Sequence, residues 1–195
     1  MGSSVPSRAA GPFATILLVL SADVSRSVDH PKFLLQREGY AAAISDPQVI
    51  EAVKSGPHRS IALCYIEWSG FAAQKVLIDW SLVDGPDAAR KFGNQLLELP
   101  RSFADRTSIS GGIEFATAQL ERSPYVAPRR TIGISGDGIN QDSLISFLGV
   151  QNGPATLGNA PTSIRADQLS AGGVRLRYIN CPPSPFLNST VQNAC

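Results

Sequence analysis

Cysteine is scarce in this chain: Cys64, Cys181 and Cys195 are the only three among 195 residues. Three are too few for a disulfide framework, and none forms a C-x-x-C pair, so a small stapled scaffold and a thiolate zinc site are both excluded. Histidine is scarcer still, with His30 and His58 alone, which leaves no histidine-rich metal centre and few general bases. An excess of one charge is missing too. Seventeen Lys and Arg stand against sixteen Asp and Glu, a net of +1. So even a balance gives no electrostatic footprint for nucleic acid. No apolar run approaches the ~20 residues of a membrane span. What remains is a globular mixture, 43% hydrophobic and 17% charged, too apolar for a disordered chain and of a length that suits one domain.

Residues 1–12 (MGSSVPSRAAGP) read as a loose polar lead. The continuous apolar run 13–23 (FATILLVLSAD) follows Arg8, which gives it some likeness to a signal peptide. Its polar Ser and Asp at the end, and the lack of a long basic stretch ahead of it, fit a buried parallel strand instead. Residues 32–44 then read as a helix with an apolar stripe of Phe33, Leu34 and Ala41 to Ala43. Asp46-Pro47 starts another helix, an N-cap with proline at the first helical position, carrying Val49, Ile50 and Val53 on one face. Two strand-like runs, 60–69 and 75–83, are separated by a five-residue link and predict an antiparallel hairpin. Asp87 is a candidate cap for a helix through Ala89, Phe92 and Leu96, closed by Pro100. After a polar loop comes a helix over 110–122, then a strand over 130–135 that ends in Gly136-Asp137-Gly138. Residues 138–161 are rich in Gly and Asn and hold no more than a helical turn. A short helix over 164–171, a strand over 174–180 and a Pro- and Asn-rich tail over 181–195 complete the chain.

Strands that alternate with helices predict an α/β fold: a mainly parallel central sheet with one antiparallel edge hairpin and helices on both faces. In such a sheet the ligand site lies beyond the carboxyl ends of the strands. Three segments converge there: Asp23-Val-Ser25-Arg-Ser27 after the first strand, Arg106-Thr107-Ser108-Ile109-Ser110 before a helix, and Ser135-Gly-Asp137-Gly after the later strand. Each alone has an ordinary reading. Asp and Ser cap helices, Thr107 suits an N-cap, and Ser-Gly-Asp-Gly suits a turn. Together they offer two carboxylates and several hydroxyls without His or Cys, the donor set of a hard cation such as magnesium.

In that order, Asp23-Val-Ser25-Arg-Ser27, Thr107 and Asp137 resemble the metal-ion-dependent adhesion site (MIDAS) of the von Willebrand factor A (VWA) fold. Segments 35–43 (LQREGYAAA), 65–69 (YIEWS), 106–111 (RTSISG) and 135–138 (SGDG) extend the resemblance to a bacterial family of VWA-like proteins of unknown function. The resemblance covers residues 13–180 and implies a Rossmann-like VWA domain over that span, with a divalent cation, Mg2+ or else Mn2+ or Ca2+, at the top of the sheet. It implies Ser25, Ser27 and Thr107 as direct hydroxyl ligands, and Asp23 and Asp137 as carboxylates acting partly through water. It further implies a protein or peptide partner whose carboxylate completes the coordination, no catalysis, and an exported protein, although no signal peptide is legible here. Two departures stand out. Arg26 occupies a position where the family carries a small residue, usually Gly. After Asn180 the final strand and helix of the fold are not legible, which would leave a sheet edge uncovered.

Two other classes compete, as does a degenerate VWA scaffold without metal. Gly136-Asp-Gly-Ile-Asn-Gln-Asp142 is similar to a motif of haloacid dehalogenase-type phosphatases, but that chemistry needs a second Asp where Ser25 stands. A serine hydrolase would need a Gly-x-Ser-x-Gly elbow, which is absent, and a base, for which only the two histidines are available. Trp68 and Trp80 read as core or edge packing, Cys64 as a small buried apolar group, and Glu67 as part of a solvated face. Cys181 and Cys195 could pair in an exported protein.

Overall fold

The computed structural model describes residues 11–70, 72–103 and 105–136, and the backbone of 174–180. Along the described chain run β1 (Ile16–Asp23), α1 (His30–Ser45), α2 (Pro47–Ser55), β2 (Ile61–Trp68), β3 (Gln74–Val83), α3 (Pro86–Glu98), α4 (Ile109–Arg122), β4 (Arg129–Gly136) and β5 (Val174–Asn180). The strands form one sheet in the order β3-β2-β1-β4-β5. β1 is central, parallel to β2 on one side, with Asp23 opposite Trp68, and to β4 on the other, with Ala22 opposite Ser135. β5 extends the parallel part, and β3 runs antiparallel along the outer edge of β2. The ends of β1, β2 and β4 therefore lie side by side at one edge.

Because β1 is covered on both faces, it reads as a continuous apolar run rather than an alternating one. On one face Leu17, Val19, Cys64, Ile66, Ile132 and Ile134 pack with Ile113, Ala116 and Leu120 of α4. On the other, Leu20, Leu63 and Tyr65 pack with Ile50 of α2 and with Ala89, Phe92 and Leu96 of α3. The apolar run with some likeness to a signal peptide is thus the middle strand of the sheet, starting at Ile16 rather than at Phe13. Phe13 is exposed and joins the backbone pairing through an isolated bridge to Val126.

Local signals set most helix ends. Asp46 Oδ1 accepts from the amides of Gln48 and Val49 at 2.7 and 3.3 Å, with Pro47 opening the helix behind it. Asp87, expected to cap α3, lies in its first turn instead, where it pairs with Arg90; Gly85 is the N-cap. Pro86 explains the shift, since proline takes the first helical position and the cap must precede it. The stripe expected on α1 also differs. Phe33, Gln36, Arg37 and Ala41 are buried, whereas Leu34 and Leu35 are 43% and 45% exposed. The inner face of α1 meets polar groups at the sheet edge, so it carries polar side chains of its own. The pairing of β2 with β3 is antiparallel as expected, with register shifts on either side of Tyr65. The readings made for 1–10, 137–173 and 181–195, including the absent last strand and helix, the tail and any Cys181–Cys195 pairing, lie outside the described residues.

Candidate metal centre

The first loop leaves β1 at Asp23, whose Oδ1 accepts from the Ser25 amide at 2.7 Å. That bond is an Asx turn, and it folds the loop back over the strand end. The Val24 amide still donates to the Trp68 carbonyl at 2.8 Å, and the Val28 amide closes onto the Ser25 carbonyl at 3.0 Å. So held, the Ser25 and Ser27 hydroxyl oxygens lie 3.1 Å apart. Thr107 Oγ1 donates to Ser25 Oγ at 2.9 Å from the second loop. Asp23, Ser25 and Thr107 are buried, whereas Ser27 is exposed, so the cluster opens to solvent on the Ser27 side.

The second loop is docked by backbone bonds, Arg26 N to Asp105 O and Ser108 N to Ser69 O, both at 2.8 Å. Ser108, not Thr107, is the N-cap of α4, and its Oγ accepts from the Gly111 amide. The capping alternative for Thr107 is thereby overturned: the neighbouring serine satisfies the helix end and Thr107 is left to face Ser25. Glycine matters at two places. A Cβ on Gly136 would lie 2.9 Å from Asp23 Oδ2, so the end of β4 lies directly against the carboxylate. A Cβ on Gly112 would lie 2.7 Å from the Trp68 ring, which seats the first turn of α4 on that indole.

Beneath the loops lies a buried ion pair. Arg37 of α1 donates to Glu67 Oε1 at 2.5 Å, and both side chains are 2% exposed or less. The same guanidinium caps the end of α3 through the carbonyls of Leu96, Leu99 and Pro100. Glu67 also accepts from Tyr65 Oη at 3.1 Å and, through Oε2, from the Ser102 amide at 2.9 Å. Burial, reinforced by the Glu67 carboxylate, pushes the Tyr65 phenol well above its ordinary 10.0, so it stays a donor. Glu67 is therefore not on a solvated face. Its signal in the sequence is a carboxylate inside an apolar strand, which requires a partner. Arg37 is such a partner, on the same helical face as Phe33 four residues before it.

The residues present fit a hard cation. The ligands of an octahedral ion held at 2.0–2.1 Å lie about 3 Å from one another, and the two hydroxyl separations measured here match that edge. Among the described residues no group of three His, Cys, Asp or Glu side chains could hold a metal; the set assembled here is one carboxylate with three hydroxyls. Asp137 lies outside the described residues. His30 and His58 are exposed, and their rings stack on Phe33 and Phe13 respectively.

A family model described as "Protein of unknown function (DUF1194)" matches residues 14–153, well over half of the chain. The chain belongs to the DUF1194 family. No curated protein matches it. Among solved structures, it is similar to proximal thread matrix protein 1 (PTMP1) of the mussel byssus at 12% identity and a TM-score of 0.58, covering 94% of this chain and 42% of that one. The same mussel protein with zinc in its MIDAS motif matches at 12% identity and a TM-score of 0.57, covering 88% and 38%. The PilB minor pilin of Streptococcus sanguinis matches at 15% identity and a TM-score of 0.51, covering 70% and 32%. At such identities the likeness shows the fold, which is VWA-like, and the DUF1194 chain spans less than half the length of these structures.

Proposed function

We propose that this domain binds a divalent cation at the carboxyl edge of its sheet and, through it, a carboxylate of a partner protein or peptide. The observation that carries the reading is the apposition of Thr107 Oγ1, Ser25 Oγ and Ser27 Oγ from two loops, beside the buried Asp23 carboxylate. Ser25, Ser27 and Thr107 would hold the ion directly. Asp23 would do so in part through water, as would Asp137 by the sequence pattern. The hydroxyl set favours Mg2+, Mn2+ or Ca2+ over softer ions. That the similar mussel structure carries zinc in a MIDAS motif supports a metal-binding reading of this domain. When bound, the cation supplies an open coordination position that a carboxylate can take in exchange for water. The exposed Arg26 sets a positive charge in the same loop and adds attraction for an acidic partner.

Serine at position 25 weighs against the haloacid dehalogenase-type phosphatase, because that chemistry then has no proton donor for its leaving group. The PilB likeness supports a place outside the cytoplasm. No helix among the described residues is long and apolar enough to cross a membrane. Calorimetric titration of Mg2+ and Mn2+ into the wild type, Asp23→Ala and Asp137→Ala tests the reading. One-to-one binding lost in both variants is expected; a folded wild type that binds neither ion overturns it.

A further inference from the structure

Arg101 belongs to no motif, yet its guanidinium grips the first loop. One terminal nitrogen donates to the carbonyls of Val24 and Ser25, each at 2.7 Å, and Nε donates to the Phe103 carbonyl at 2.8 Å. Val24 and Ser25 are the residues that carry the loop from the Asp23 carboxylate to the first hydroxyl. The guanidinium is itself aimed from below. It lies 5.5 Å from the centre of the Phe33 ring, and the Arg37 guanidinium lies 4.5 Å from the same centre. Arg37 is bonded to Glu67, whose second oxygen holds the amide of Ser102, the residue after Arg101. The backbone beside Arg101 and the ring under its side chain are thus both anchored to the buried ion pair.

We propose that Arg101 is a positioning residue for the cation site: it fixes the Val24–Ser25 backbone so that Ser25 Oγ faces Thr107 Oγ1 before any ion arrives. This inference rests on the metal reading given above. Two physical effects of Arg101 have opposite signs. As a positive charge near a divalent ion it repels, so its removal would tighten binding. As a grip on the loop it preorganises the ligands, so its removal would weaken binding, by about tenfold for a supporting group behind a metal ligand.

The test is Mn2+ titration of the full chain as wild type, Arg101→Met, Arg101→Lys and Asp23→Ala. Arg122→Met, at the far end of α4, serves as the charge control. The amide exchange of residues 25–28 is measured in parallel. Expected for Arg101→Met are binding about tenfold weaker, recovery on adding methylguanidinium, faster exchange of the loop amides and an unchanged thermal midpoint. Arg101→Lys keeps the charge and a nitrogen for the two loop carbonyls but lacks the Nε–H that holds the Phe103 carbonyl, so it falls between, and it also serves if Arg101→Met does not fold. Arg122→Met matches the wild type. Equal or tighter binding by Arg101→Met and Arg101→Lys overturns the proposal. If the wild type binds no Mn2+, the metal reading fails on its own. Loop exchange then still judges the grip: faster exchange in Arg101→Met upholds it and unchanged exchange overturns it.

Discussion

Arg37 and Glu67 carry opposite charges with almost no access to water, and neither can be removed without stranding the other. Breaking a buried pair on one side costs about 3–5 kcal/mol. Arg37→Met and Glu67→Gln are each expected to lower the unfolding free energy by roughly that amount, read from denaturant midpoints at constant slope. At the site, Thr107→Val removes a hydroxyl while keeping the shape. It is expected to abolish cation binding in calorimetry, whereas Thr107→Ser retains it. Cys64 gives a prediction in pH. Burial first, and then the Asp79 carboxylate, push its thiol from the ordinary 9.0 up to about 12. The unfolded chain ionises this thiol at lower pH than the folded one does. The stability it contributes is therefore full below pH 9 and is lost as pH rises from 9 toward 12. Alkylation of Cys64 at pH 8, followed by peptide mass, should be slow in the folded protein and rapid in denaturant. The sequence made Asp23, Ser25, Ser27 and Thr107 legible because their order is a pattern. Glu67 showed only that a carboxylate in an apolar strand needs a partner, and Arg37 and Arg101 showed nothing, because the groups they hold are 30 to 77 residues away.

At the scale of elements, α4 carries most of what the second loop needs. Its cap Ser108 holds the helix end, and Gly112 rests on Trp68. Ser108→Ala should cost about 1 kcal/mol. Gly112→Ala, by forcing a methyl into the indole, should cost about 1–3 kcal/mol. Both are measurable by chemical denaturation, and the second should also shift tryptophan fluorescence. Helices and strands were legible wherever a run was capped or alternating, as with Asp46-Pro47 and the hairpin of β2 and β3. α1 departs from the expected stripe because half of its buried face is polar. The polar edge of the sheet buries Gln36, which donates to Ser135 at 2.6 Å, and Arg37, and turns Leu34 and Leu35 outward. Leu34→Gln and Leu35→Gln are accordingly expected to change stability by no more than about 0.5 kcal/mol.

For the whole molecule, the strand order places the site where the chain changes its direction of travel across the sheet. From β1 the next strand lies on one side and, after the hairpin and two helices, β4 lies on the other. In an open α/β sheet such a switch point marks the ligand crevice at the carboxyl ends of the strands, and here the end of β4 at Gly136 lies against Asp23. The alternation of strands and helices was enough to locate that crevice from the sequence. The alignment of Asp23, Trp68 and Gly136 required the register. An ion bound only by the folded state should stabilise it by about 2.7 kcal/mol at a hundredfold excess over Kd. For a domain of this size that corresponds to a rise in Tm of roughly 5–10 °C. A chelator should reverse the rise, and Asp23→Ala should not show it.

The Arg37–Glu67 pair also bears on how this sequence can drift. A lineage that loses one of the two charges passes through a protein with a lone ion in its interior and, where Arg37 is the one lost, a frayed end on α3. The two positions should therefore vary jointly among relatives, switching together to an uncharged pair or remaining as they are. Sequences that keep only one should be rare, and where they occur Leu99, Pro100 or Ser102 should have changed as well.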